Sequence, residues 1–191
     1  MYHTALAKKQ AELAAPVDRW EGKGSVAFVH DISDGLTQEF DDCDILYADL
    51  PWLHGFREFN DRAGKPTGSY PEFVGMIEKF VVSSGKPAVL VAGRFAIRAM
   101  TPHAKKNLTL NGADALAATY NISLDKFPNY GDTKDLLRFL AANFRRVGDF
   151  MCGYGRSARI FVESGGTFVA SDFNSECIGR IAIEAPTWKP A

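Results

Sequence analysis

The sequence predicts a three-layer α/β/α domain on a largely parallel sheet of about seven strands. Three observations carry that expectation. Short apolar runs bounded by turn residues alternate with segments of helical periodicity. Alternation of this kind folds as a parallel sheet with helices on both faces. The 191 residues suffice for one core and not comfortably for two. No internal repeat, low-complexity tract or linker divides them, so a single domain over 1–191 is expected.

Residues 4–15 read as a short helix closed by Pro16. A β-rich run over Val26 to His30 ends at Asp31, and the following D-G-L-T-Q-E-F is a helix or turn. Asp44 to Leu50 form a second buried strand stopped by Pro51. The stretch from His54 to Tyr70 is rich in glycine and charge and has no periodicity, as expected of a functional or disordered loop. Phe73, Ile77 and Phe80 then share a helical face between Pro71 and Gly85. Pro87 to Gly93 is a near-continuous apolar strand, and 94–128 are mixed without a clear period. Leu136, Leu137, Leu140 and Phe144 mark a helix with Thr133 as candidate N-cap. A short apolar stretch at Val147 to Cys152, a strand at Thr167 to Ala170 and a helix ended by Pro186 complete the pattern.

Composition narrows the function. With 46% hydrophobic and 24% charged residues the chain reads as an ordinary globular protein. No apolar run approaches the roughly 18 to 20 residues of a membrane helix, and the first residues lack the apolar core of a secretory signal. No membrane association is therefore expected. Cys43, Cys152 and Cys177 lie far apart, with no C-x-x-C pairing and no histidine cluster. That pattern argues for a reduced, cytoplasmic protein without a disulfide framework or metal site. The net charge of −1 lacks the basic excess usual in proteins that grip duplex DNA alone. Contact with nucleic acid would need a local basic face.

The strongest local signal is Gly153-Tyr154-Gly155-Arg156-Ser157-Ala158, a G-x-G-x-x-A turn after an apolar stretch. Glycines allow the tight turn and let a ligand lie against the backbone. Asp172 follows at the end of the next strand, close to the usual offset of about twenty residues for a carboxylate that holds ribose hydroxyls. A nucleoside ligand is the expectation. The second signal is Asp49-Leu50-Pro51-Trp52 at the C-terminal end of a buried strand, where open α/β sheets bind ligands.

Asp149-Phe150-Met151-Cys152-Gly153-Tyr154-Gly155 resembles the D-P-F-x-G-x-G motif of methyltransferases that act on amino groups of DNA bases. Asp49-Leu50-Pro51-Trp52 resembles their D-P-P-[YFW] motif, with Leu50 for the first proline. The order of the two resembles the permuted, beta-class arrangement, a catalytic half over 26–128 preceding a cofactor half over 129–191. The resemblance implies a Rossmann-like methyltransferase fold and S-adenosylmethionine as cofactor. It implies an adenine-specific DNA methyltransferase activity at N6, with DNA ranked ahead of RNA as partner. Asp31, Lys134, Asp149, Met151, Gly153, Gly155 and Asp172 would hold the cofactor. Asp49 and the Leu50 carbonyl would accept the two hydrogens of an exocyclic amine, Pro51 would shape the turn, and Trp52 would stack on an extruded base.

Phosphate contacts are expected from Arg57, Arg62 and Lys65 in the long loop and from Lys105 and Lys106. With Arg94, Arg98 and His103, these last two are expected on the sheet edge of Asp49. His54 reads as a structural or binding residue, and Cys152 as a space-filler. The sequence departs from the family in Asp135, which follows Lys134 where Lys-Pro is common. It also leaves little room between Trp52 and Thr133 for a target-recognition region, which a partner subunit or homodimer would then supply. Three alternatives stand beside this reading: an RNA or small-molecule methyltransferase, a NAD-type dinucleotide binder, and an inactive relative that binds a partner.

Overall fold

Apolar runs too short for helices pair into one nine-stranded sheet. The computed structural model describes residues 16–53, 55–56, 68–110, 113–129 and 131–190. The strands are β1 (Arg19–Gly22), β2 (Ser25–Val29), β3 (Ile45–Asp49), β4 (Ala88–Gly93), β5 (Ala104–Leu110), β6 (Ala113–Tyr120), β7 (Gly131–Asp132), β8 (Arg146–Asp149) and β9 (Thr167–Asp172). Their order across the sheet is β1-β2-β9-β8-β3-β4-β6-β5-β7. The central run β2-β9-β8-β3-β4 is parallel throughout. β1 joins antiparallel at one edge, and β6 is antiparallel to both β4 and β5.

The helices are α1 (Tyr70–Ser84), α2 (Arg94–Ile97), α3 (Thr133–Asn143), α4 (Arg156–Glu163) and α5 (Ser175–Glu184). Successive strand residues feed opposite cores, as the two-residue period of a strand requires. Ile45, Tyr47, Val147 and Ala170 pack with Leu136, Leu140, Phe161 and Ile181 of α3, α4 and α5. Leu46, Ala48, Leu90 and Val169 pack with Val74, Ile77 and Val81 of α1 and Ile97 of α2. The three-layer expectation holds, with nine strands rather than seven. The hairpin β5–β6 lies in the stretch without a readable period, and β1 and the two-residue β7 add to the edges. β8 and β9 of the later half lie between β2 and β3 of the earlier one, so both halves share one sheet.

Two local expectations shift. Asp132, not Thr133, caps α3: its side chain accepts a bond from the Asp135 N–H, while Thr133 is buried in the first turn. In α1 the fully buried face is Tyr70, Val74, Ile77 and Val81, and Phe73 and Phe80 lie at its margin. Ser69 and Glu72 cap its start reciprocally, and Gly85 ends it in the left-handed conformation at φ 66°. Helix 4–15 lies outside the described residues.

Candidate active site

The winding of the sheet reverses between β8 and β3. From β8 the chain crosses through α4 to β9 on one side, and from β3 through α1 to β4 on the other. A cleft opens at such a point, beyond the C-terminal strand ends. Here it has a volume of about 830 Å³.

Three carboxylates enter it from adjacent strands. Tyr47 pairs with Asp149 and Asp149 with Ala170. Paired residues of parallel strands share a sheet face, so Asp49, Asp149 and Asp172 all project on the side of α3, α4 and α5. Asp149 lies deepest, one strand repeat below the other two. The Met151 N–H donates to its Oδ1 at 3.1 Å, and the Ser157 hydroxyl donates to its Oδ2. Burial pushes its carboxyl up to about 7; the two hydrogen bonds oppose that shift, and the charges of Asp49 and Asp172 add to it. Burial raises Asp49 to about 6, and the Arg156 guanidinium pulls it back. Asp172 is raised by burial, against the pull of two backbone donors.

Those donors tie Asp172 to the glycine turn. The Gly153 N–H donates to Oδ2 at 2.9 Å and the Asn174 N–H to Oδ1 at 3.0 Å. Gly153 and Gly155 hold φ of 48° and 77°, which side chains rarely adopt. A Cβ on Gly153 would meet nothing within 4 Å, whereas one on Gly155 would lie 2.8 Å from Ile181 Cγ1. One glycine thus leaves open space at the cleft, and the other lets α5 approach. Asp31 enters from the end of β2, its Oδ1 accepting from the Ser33 N–H at 2.9 Å.

Leu50 explains its own departure from proline. It is buried, and its N–H donates to the Val91 carbonyl of β4 at 2.8 Å, a bond that proline could not make. The Tyr70 hydroxyl donates to the Pro51 carbonyl at 2.7 Å, pinning the turn to α1. Trp52 remains 38% exposed, its ring 3.4 Å from where a Cβ on Gly93 would stand.

Asp31, Asp49, Pro51, Asp149, Met151, Gly153, Gly155 and Asp172 all line the cleft. Lys134 does not; it is exposed on the first turn of α3. Lys105 and Lys106 lie within β5. Lys106 occupies the row Asp49–Val91–Ala117–Lys106, three strands from Asp49, or about 14 Å at normal strand spacing. As strand neighbours the two lysines face opposite sides of the sheet. The His103 N–H bonds the Thr119 carbonyl towards the other end of β4, so His103 too is away from the Asp49 edge. His54, Arg57, Arg62 and Lys65 lie outside the described residues.

Sequence reasoning missed Arg156, Tyr154, Phe173 and Arg180, which also line the cleft. The Arg180 guanidinium lies 4.8 Å from the centre of the Tyr154 ring. Arg156 and Tyr154 stood inside the glycine motif, and Phe173 directly after Asp172; only their position in space marks them. Burial pushes the Cys152 thiol well up and that of Cys177 to about 12, leaving both protonated and unsuited to nucleophilic attack.

No family model and no curated protein sequence matches the chain. Solved structures match in fold. M1.HpyAVI shares 11% identity at a TM-score of 0.52, over 83% of this chain and 96% of that one. The M1.HpyAVI–SAM complex matches at 9% identity and a TM-score of 0.51, over 81% and 95%. A candidate DNA modification methylase from Thermus thermophilus matches at 9% identity and a TM-score of 0.50, over 79% and 89%. The fold is that of these DNA methylase structures.

Proposed function

We propose that the chain binds S-adenosylmethionine in the cleft and transfers its methyl group to the N6 amine of adenine in DNA. One observation carries the proposal: β3 and β8 pair in parallel, bringing Asp49-Leu50-Pro51-Trp52 beside Asp149 and the glycine turn at one sheet edge. The chain order, with β3 before β8, supports the permuted, beta-class arrangement. The fold shared with a structure solved as a SAM complex supports the choice of cofactor.

The donor set fits the cofactor chemically. Four aspartates face the cleft, which suits a ligand bearing a sulfonium and an ammonium. Arg156 offers one cation for the ligand's carboxylate. A dinucleotide fits poorly, because the backbone donors its diphosphate would need are taken. The Gly153 and Gly155 amides that would cradle it already bond Asp172 and the Cys152 carbonyl. We assign Asp172 and Asp31 to the nucleoside end and Asp149 with Met151 to the methionine end, and leave Lys134 out of the set.

The bound cofactor supplies an electrophilic methyl group. Asp49 and the Leu50 carbonyl would accept the two amine hydrogens, drawing nitrogen towards tetrahedral geometry and freeing its lone pair. The carbon–sulfur bond would break as the carbon–nitrogen bond forms, the thioether leaving and the surplus amine proton passing by Asp49 to solvent. The Tyr70–Pro51 bond holds that turn still. Trp52 offers a partly exposed face for the base. Titration calorimetry should show one-to-one binding of S-adenosylmethionine, weakened by about 1–3 kcal/mol in Asp172→Ala. Affinity for NAD with none for the methyl donor overturns the proposal.

The net charge of −1 favours a second reading, a small-molecule acceptor. Transfer to free adenosine as fast as to an oligonucleotide, without salt dependence, selects it.

A further inference from the structure

Close to the D-L-P-W turn, two exposed arginines and an exposed aromatic side chain stand together on α2. This helix opens directly at the end of β4. It turns Ala96 and Ile97 into the core and leaves Arg94, Phe95, Arg98 and Ala99 exposed. At 61% exposure, Phe95 is the most open large hydrophobic side chain among the described residues. No core contact calls for a phenylalanine there.

Its neighbourhood is specific. The Trp52 ring packs against Gly93, two residues before Phe95, so the backbones of Gly93 and Phe95 stand at most about 7.6 Å apart. Trp52, 38% exposed, and Phe95 thus present aromatic side chains on either side of the end of β4, close to Asp49. Arg94 and Arg98, one helical turn apart, set positive charge beside them. An aromatic rim between cations complements a stacked polyanion better than it does a protein surface.

We propose that this rim docks duplex DNA and that Phe95 is a wedge. When the target base turns into the cleft, the Phe95 ring fills the gap left in the base stack, with Arg94 and Arg98 on flanking phosphates. The proposal rests on the methyl-transfer reading above. A base inside a duplex cannot reach Asp49 without leaving its stack, and inserted apolar side chains offset that unstacking. Trp52 then serves the extruded base and Phe95 the hole behind it.

The test compares methyl transfer from labelled S-adenosylmethionine to a random-sequence duplex pool and to its separated strands. In Phe95→Ala the duplex-to-single-strand rate ratio should fall about tenfold, and Phe95→Trp should restore it. Phe95→Gln serves as a second variant, and melting curves verify the fold of each. Arg98→Gln should reduce the slope of log affinity for duplex against log salt by about one. An unchanged ratio in active Phe95→Ala, or an equal loss on both substrates, overturns the wedge alone. So does dimerisation of the wild type that Phe95→Ala abolishes, which would make the rim a contact between copies. If the wild type transfers to neither substrate, the methyl-transfer reading fails first.

Discussion

Asp49 and Asp149 are both buried carboxylates, yet the same burial serves them differently. Asp149 accepts hydrogen bonds from Ser157 and Met151, which support its anionic form against burial. No hydrogen bond reaches the Asp49 side chain among the described residues; Arg156 supports its charge through space. Asp49→Ala should therefore abolish methyl transfer and leave cofactor affinity within a few-fold, as rapid-quench assays and calorimetry would register. Asp49 works as the anion, so its rise to about 6 places the acid limb of activity near that pH. Cofactor affinity should likewise grow as pH rises through about 7, where Asp149 ionises. Loss of cofactor together with activity in folded Asp49→Ala would show that the carboxylate belongs to the cofactor's site.

At the scale of elements, the glycine turn and the ends of β3 and β9 were legible because each depends on local residue types. Two glycines with positive φ and an aspartate at a strand end leave marks in a few consecutive letters. The β5–β6 hairpin leaves none. Ala115, Ala117 and Ala118 are fully buried in it, yet alanine has little intrinsic preference for strands; pairing with β4 decides the conformation. Lys105 and Lys106 lie in the same hairpin, so only that pairing sets their distance from Asp49. Arg156 was invisible as a partner of Asp49, since 107 positions separate them and only the β3–β8 pairing brings them together. Gly155 tests the packing of these elements. Gly155→Ala forces a Cβ to 2.8 Å from Ile181 in a left-handed backbone, and should cost roughly 1–3 kcal/mol in denaturant unfolding. Gly165→Ala, with a similar φ of 80° and open space, separates the two causes because it carries the backbone cost alone.

For the whole molecule, three raised carboxylates in one cleft tie stability to pH. Asp49, Asp149 and Asp172 hold protons more tightly folded than unfolded, so their contribution is complete below about pH 4 and is lost up to about pH 7. Glu39 and Glu72 shift the other way but lie near the surface, where solvent screens them. The ligand-free protein should consequently melt at a lower temperature at pH 8 than at pH 5.5, and S-adenosylmethionine should narrow that gap. A higher melting temperature at pH 8 would contradict the burial of these groups. The sheet places an acidic cleft at its centre and the basic, aromatic rim of α2 beside it, a division suited to a cationic cofactor and a polyanionic acceptor. The most direct measurement is mass spectrometry of nucleosides from DNA incubated with the protein and methyl-labelled S-adenosylmethionine. The account predicts label in N6-methyladenine with wild type and none with Asp49→Ala; unlabelled DNA with the wild-type protein, or label confined to another base, would contradict it.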